Sequence, residues 1–241
     1  MFPKPIKTPL SLKPPGMSPM AMRNLLVCLT FISCVAYSPR ASASRIPNLA
    51  EAWDILYDGE GFVSFDAQNG IILQPFASTS PSESHATLAL ATWTETSPLK
   101  DFQIIIRAST EQQLRLPTPN GWEVFTLFFN YEVDQSEGSE GKKTNYLKLT
   151  DQGVELGTLA DKTGQTFLAT NKRRTLSLGE INTYLLTKKG NHIEVSIDGE
   201  RVVNFMGLQQ LYDLPGAIGV YTEDARAHIY SVDILPIDQV N

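Results

Sequence analysis

The sequence has very little cysteine, and none in the part that we expect to fold. Its two cysteines, Cys28 and Cys34, both lie in an apolar segment near the N-terminus. Without that segment the chain has no disulfide, no thiolate metal site and no cysteine nucleophile. Its stability must therefore come from a hydrophobic core, and about 200 residues are enough to form one in a single domain.

Basic residues are scarce beyond the N-terminus. Residues 1–43 contain five of the 20 lysines and arginines and none of the 26 aspartates and glutamates. The rest of the chain therefore has 15 basic and 26 acidic residues, a net charge of −11. Because nucleic acid and anionic membranes attract basic surfaces, we expect neither as a partner. The three histidines lack metal-ligand spacing, so no histidine-based metal site is predicted.

The N-terminus has the pattern of a secretory signal. A basic start at residues 22–24 precedes an apolar segment over residues 25–37, and small residues follow at 41–43 (Ala-Ser-Ala). The apolar segment is shorter than the ~20 residues of a transmembrane helix. We therefore predict a signal peptide over residues 22–43 that is cleaved after Ala43.

This signal sets the expected domain organisation and location. The protein is predicted to be secreted or periplasmic, with one folded domain over residues 44–241 and no integral membrane segment after cleavage. Residues 1–21 precede a better start site, and we interpret them as a disordered, over-extended N-terminus. A lipoprotein signal ending at Cys34 is the alternative, although the residues before it match a lipobox poorly.

Short alternating segments replace helical periodicity throughout the chain. Residues 193–198 alternate apolar and polar side chains, turn at Asp198-Gly199 and resume the alternation, which predicts a two-residue β-hairpin. Residues 122–131 are almost continuously apolar, as expected for a strand buried on both faces. About a dozen such strands predict an all-β fold in which two antiparallel sheets form a β-sandwich. Single helical turns are expected only within residues 44–56 and 208–214.

The second half of the chain resembles a known superfamily. Residues 185–199, 215–221 (Pro-Gly-Ala-Ile-Gly-Val-Tyr) and 229–234 are similar to the end of a concanavalin A-like lectin/glucanase jelly roll. The closest branches are the laminin-G-like domains and the bacterial 3-keto-disaccharide hydrolase type domains, whose aspartate-phenylalanine strand resembles residues 99–107. The resemblance covers roughly residues 57–237. It implies a jelly roll, but this superfold serves lectins, hydrolases, lyases and adhesion modules alike.

The resemblance implies a polysaccharide or glycoconjugate as the partner, bound on the concave sheet. Aromatic rings stack on sugar faces, and polar groups bind the hydroxyls. Three segments that this topology places side by side supply such residues. The candidate ligand-binding residues are Arg115, Trp122, Asn130, Tyr131, Tyr146 and Lys148. Which of them point outward depends on strand register, because a slip of one residue inverts the set.

Two enzymatic hypotheses and one structural hypothesis stay open. Polysaccharide lyases of this fold neutralise a uronate with arginine and an amide and use tyrosine or histidine as the base. Here residues 113–115 and 146–148 resemble their strands, but the glutamine-x-histidine element is missing. Residues 132–137 fit the E-x-D-x-x-E motif of glucanases, yet the adjoining glycine-rich loop offers little burial to raise a carboxyl pKa. The structural hypothesis is an envelope protein without a glycan ligand.

Calcium is the one cofactor that the resemblance implies. Asp233 is an acid in an otherwise apolar terminal strand. Many jelly rolls of this fold bind a structural Ca²⁺ there, together with carbonyls of an early loop. Since Ca²⁺ prefers oxygen ligands, we expect Asp233 and the loop at residues 58–61 to supply them.

Overall fold

The computed structural model describes residues 52–66, 70–80, 82–91, 99–132, 143–160, 164–207 and 211–237. Within these ranges the chain forms β-strands and no helix, and therefore none that is long and apolar enough to cross a membrane. The strands are β1 Trp53–Tyr57, β2 Phe62–Asp66, β3 Gly70–Gln74, β4 Ala86–Ala91, β5 Phe102–Gln113, β6 Thr126–Glu132, β7 Lys143–Thr150, β8 Gly153–Ala160, β9 Gly164–Asn171, β10 Asn182–Lys189, β11 His192–Ile197, β12 Glu200–Met206, β13 Ala217–Glu223 and β14 Ala225–Pro236.

The strands form two antiparallel sheets of seven strands each. One sheet, which we call the front sheet, has the order β1-β4-β13-β6-β7-β8-β9. The other, the back sheet, has the order β12-β11-β10-β5-β14-β3-β2. Each sheet combines strands that follow one another in sequence, such as β6 to β9, with strands from distant parts of the chain, such as β13 between β4 and β6. The predicted all-β jelly-roll sandwich is confirmed.

Alternating side chains of both sheets form the core between them. In β5, Phe102, Ile104 and Ile106 are fully buried, and their intervening neighbours are more accessible. Phe102 of the back sheet meets Phe129 of the front sheet edge to face, with ring centroids 6.1 Å apart. Burying each of these large apolar side chains stabilises the fold by about 1.5–3 kcal/mol. The core therefore stabilises the domain without disulfide bonds.

The hairpin predicted at Asp198-Gly199 is confirmed. Strands β11 and β12 pair from His192 opposite Met206 to Ile197 opposite Glu200. Asp198 and Gly199 have φ angles of 50° and 81°, the left-handed values that a two-residue turn between twisted strands requires.

Three local predictions were wrong or incomplete. A helical turn was expected within residues 44–56, but the described part, residues 52–56, leads into strand β1. There Trp53 is buried and pairs with Ala91 of β4. Strand β9 was missed, since its side chains are mostly exposed and carry little apolar alternation. Residues 211–214 form no helix, and residues 208–210 lie outside the described ranges.

Candidate functional site

The outer face of the front sheet carries a second apolar cluster, separate from the core. In β6, Leu127 and Phe129 point into the core, whereas Phe128 points to the outer face. The buried members of the outer cluster are Leu88, Phe128, Tyr131 and Tyr146, and Tyr57, Leu90, Ala217 and Tyr221 pack against them. The outer face is therefore rich in aromatic rings. A sheet face that contacts only water has no need of such rings.

An irregularity at Asn130 places two aromatic rings of β6 on this face. Asn130 has a φ of 51°, and the pairing of β6 with β7 shifts register between Phe129 and Glu132. Tyr131 therefore lies on the same face as Phe128, and their rings stack with centroids 6.1 Å apart. In a regular strand, residues three apart point to opposite faces.

A pocket of about 390 Å³ opens on this face. It combines aromatic and aliphatic surfaces with hydroxyl, amide and charged groups. Trp122 at its edge is 54% exposed, so its ring is accessible to a ligand. The lining residues are Trp122, Thr126, Phe128, Tyr146, Lys148, Leu159, Gln165, Tyr221 and Glu223.

Tyr146 lies in this pocket against a glycine. A Cβ atom on Gly157 would be 2.3 Å from the Tyr146 hydroxyl, so only glycine leaves room for the ring. The Gln165 amide donates a hydrogen bond of 2.5 Å to Tyr146 Oη, and the phenol still has its own hydrogen to donate. Burial raises the pKa of Tyr146 to about 12, so it is a neutral hydroxyl group at ordinary pH.

The charged groups of the pocket are engaged by neighbouring residues. Lys148 Nζ lies 2.9 Å from Glu155 Oε2 and 5.7 Å from the centre of the Tyr146 ring. Glu223 accepts a hydrogen bond of 3.1 Å from the Tyr221 hydroxyl and another from Ser84. The lysine charge is therefore compensated, and the glutamate is held in one orientation.

Three of the six predicted ligand residues line this pocket, namely Trp122, Tyr146 and Lys148. Trp122 does so from the turn before β6, not from the strand, which begins at Thr126. Tyr131 shares the outer face but packs in its aromatic cluster.

Arg115 does not belong to this face. It is 6% exposed and pairs with the fully buried carboxylates of Glu123 and Asp224. Its remaining amino group donates to the backbone oxygens of Ser80 and Glu83, at 2.9 and 2.8 Å. These contacts use the guanidinium to join the segment before β4 to the start of β14.

Asn130 is equally committed to the protein. Its amide donates to the carbonyl oxygens of Leu99 and Leu214, at 3.1 and 2.8 Å, and its side-chain oxygen accepts a hydrogen bond from Asn145. Asn130 therefore ties two loops to the end of the front sheet. Its side chain is 2% exposed.

No sequence pattern marks Gln165, Tyr221 and Glu223 as site residues. Gln165 belongs to β9, which was not predicted, and Glu223 ends β13 with no pattern that marks it. Tyr221 was placed on a strand, but only the order of strands shows that β13 lies beside β6. Of the glucanase motif at residues 132–137, Glu132 alone is described, and residues 133–137 lie outside the described ranges.

The residues expected to bind calcium are far apart. Asp233 is exposed on β14, six residues beyond Ala227, which pairs with Leu73. The loop at residues 58–61 lies at the other end, where Gly61 packs directly against Gln74. At about 3.3 Å per residue, this places them roughly 20 Å apart, too far to share an ion.

The described ranges contain no group of three or more histidine, cysteine or acidic side chains that suits a metal. The residues present therefore do not fit a calcium ion shared between Asp233 and the loop at residues 58–61. Calcium binding by Asp233 itself stays a prediction.

Solved structures with the same architecture include several carbohydrate-binding proteins. The carbohydrate-binding module CBM66 from Bacillus subtilis is similar at a TM-score of 0.53 and 12% identity, over 76% of this chain and 95% of the module. The exoplasmic/lumenal domain of VIP36, bound to Ca²⁺ and Man3GlcNAc, is similar at a TM-score of 0.50 and 13% identity, over 79% and 85%. A protein of unknown function with a galectin-like fold from Bacillus subtilis has a TM-score of 0.53 and 14% identity, over 77% and 89%.

The chain has the concanavalin A-like lectin/glucanase fold. No protein-family model matches its sequence, and no curated protein does so either. At identities of 12–14% the solved structures establish the jelly roll alone. The function must therefore be argued from the pocket.

Proposed function

We propose that this protein binds a polysaccharide or glycoconjugate on the outer face of the front sheet, with the front sheet as its concave sheet. The observation that carries the proposal is the pocket of about 390 Å³, in which an exposed tryptophan adjoins a tyrosine hydroxyl, a lysine, an amide and a glutamate. Its volume falls within the ~300–1,000 Å³ of small-ligand sites. CBM66 and VIP36 carry carbohydrate-binding functions on the same architecture, which supports a sugar as the ligand.

The lining residues suit a pyranose or furanose ring. The exposed ring of Trp122 stacks against the apolar C–H face of the sugar and removes both surfaces from water. The Tyr146 hydroxyl donates to a sugar oxygen, and Glu223 accepts from a sugar hydroxyl. Gln165 and Lys148 complete the set, so both donors and acceptors face the ligand.

We also propose a secreted or periplasmic location, on the signal peptide predicted over residues 22–43. N-terminal sequencing of the exported protein tests this directly. A mature chain that begins at Ser44 is the expected result. Export of a chain that retains residues 22–43 would contradict it.

A glycan screen of residues 44–241, followed by calorimetry on the best ligand, tests the binding function. Trp122→Ala should lower the affinity at least tenfold, because it removes the stacking surface. Phe76→Ala is the matched control, since Phe76 is an exposed aromatic residue (57%) that does not line the pocket. Equal affinities of the wild type and Trp122→Ala would refute this site.

The same screen separates binding from catalysis. New reducing ends would indicate a glycoside hydrolase, and unsaturated uronate products would indicate a lyase. Two observations favour binding over elimination: Arg115 is engaged by Glu123 and Asp224, and Tyr146 holds its proton up to a pKa of about 12. No binding across a broad panel would favour a structural envelope protein.

A further inference from the structure

The pocket has an unusual charge balance for a site that binds acidic sugars. Among the described residues that line it, Lys148 is the only cation and Glu223 the only anion. Glu155 lies 2.9 Å from Lys148 and adds a second negative charge beside the pocket. Lys148, Glu155 and Glu223 together therefore carry a net charge of −1.

Lys148 is not available to an incoming carboxylate. Its side chain is 11% exposed, and that of Glu155 is 21% exposed, so water screens the pair only partly. An anionic ligand would have to compete with Glu155 for the ammonium group. In addition, the ligand would meet the negative charge of Glu155 at close range.

Glu223 repels anions and binds hydroxyl groups. The Tyr221 hydroxyl and Ser84 donate to its two oxygens and hold the carboxylate in place. An ionised carboxylate only accepts hydrogen bonds, so it recognises groups that donate them. Sugar hydroxyls donate, whereas carboxylate and sulfate groups do not.

The buried cation beside Asp224 does not change this balance. Arg115 contacts Asp224, the residue after Glu223, and also Glu123, so this buried group again carries a net charge of −1. The three charged side chains at the pocket and the three around Arg115 therefore each carry a net negative charge as a group. Their fields add at the pocket, because partly buried charges are weakly screened.

We propose that the pocket selects uncharged glycans and rejects uronates and sulfated sugars. The inference rests on the proposed glycan-binding function. It names the ligand class: a neutral polysaccharide whose hydroxyl groups donate to Glu223 and whose C–H face stacks on Trp122. Glu155 acts as the specificity residue, since it neutralises the cation that would otherwise attract an acid.

The test compares neutral and acidic polymers on the same protein. The neutral panel contains soluble glucan, mannan, galactan and fructan, and the acidic panel contains polygalacturonate and alginate. Affinities are measured by calorimetry at physiological salt for the wild type, Glu155→Gln and Glu194→Gln. Glu194→Gln is the charge-matched control, because Glu194 lies on β11 of the back sheet.

The wild type should bind at least one neutral polymer and bind the uronates at least tenfold more weakly. Glu155→Gln frees Lys148, so its affinity for the uronates should rise at least fivefold, and the gain should shrink in high salt. Glu194→Gln should leave the ratio of the two affinities unchanged. Melting temperatures of the variants verify that each is folded.

The inference would be overturned if the wild type bound a uronate as tightly as neutral polymers, or more tightly. The glycan-binding function would still stand in that case. An unchanged uronate affinity in folded Glu155→Gln would also overturn the assigned role of Glu155. Failure of the proposed function has a different result: either neither panel binds, or a polymer binds and Trp122→Ala leaves its affinity unchanged.

Discussion

Replacing Arg115 by methionine should destabilise the domain strongly and leave the pocket able to bind. The guanidinium neutralises Glu123 and Asp224, whose side chains are fully buried. Removing one member of a buried ion pair costs about 3–5 kcal/mol, because a charge is left without compensation. Here two carboxylates and two carbonyl oxygens each lose one partner, so we expect a loss of about 4 kcal/mol.

Residual contacts limit the loss. Glu123 still accepts hydrogen bonds from the backbone and side chain of Asn120. Asp224 still accepts one of 2.6 Å from Ser78 and one of 3.2 Å from the backbone amide of His85. For a domain of about 200 residues, each kcal/mol lowers the melting temperature by about 2–4 °C, so a drop of roughly 8–16 °C is expected. Urea denaturation measures the free energy of unfolding, and calorimetry measures the melting temperature independently.

Two further variants isolate the cause. Arg115→Lys keeps the charge but loses the planar fork, so its stability should fall between the wild type and Arg115→Met. Combining Arg115→Met with Glu123→Gln and Asp224→Asn removes the buried charges and should recover part of the loss. A folded Arg115→Met protein within 1 kcal/mol of the wild type that no longer binds glycan would refute the structural role.

The remaining predictions concern the pocket, acid stability and calcium. Gly157→Ala should lower both the melting temperature and the glycan affinity, the latter at least fivefold, because the new Cβ would lie 2.3 Å from the Tyr146 hydroxyl and 2.5 Å from the backbone oxygen of Thr166, so the ring and the pairing of β8 with β9 must both shift. Calorimetry checks this, and Ala at that position with full affinity would contradict it. Burial alone would raise the pKa of Asp213, but hydrogen bonds from Lys188 and a second lysine hold it below its ordinary value of 3.8. Since the folded pKa is depressed, this contribution is present above about pH 5 and is lost as the pH falls below about 4. Urea midpoints of Asp213→Asn should therefore change less between pH 6 and pH 3 than those of the wild type, and parallel curves would refute this contribution. If Asp233 binds calcium, Asp233→Ala should lower the melting temperature only when Ca²⁺ is present, and an equal loss in chelator would exclude the site.

Local patterns predicted much of the fold. The turn at Asp198-Gly199 and the alternation on either side of it specify a hairpin within about a dozen residues, so no distant contact is needed. Strands β7 and β8 likewise pair up to Thr150 opposite Gly153, around the two-residue turn at Asp151-Gln152. Edge strands gave weaker signals: β9 has mostly exposed side chains, and its strand conformation follows from pairing with β8.

The candidate site was predictable only in part. Trp122, Tyr146 and Lys148 are residue types that contact sugars, and they do line the pocket. Arg115 and Asn130 have equally suitable chemistry, but buried partners from distant segments engage them. Residue type indicates what a side chain is able to bind, whereas its neighbours in space determine whether it is accessible.

The amino-acid sequence by itself determined the all-β class, the position of most turns and the absence of cysteine cross-links, because alternation and turn chemistry act over a few residues. The tertiary structure decided which residues share the outer face. The left-handed conformation of Asn130 reverses the alternation of β6, and the insertion of β13 between β4 and β6 brings Tyr221 and Glu223 to the pocket. The insertion of β13 depends on pairing between strands that are roughly 90 or more residues apart in the chain, which no local pattern encodes.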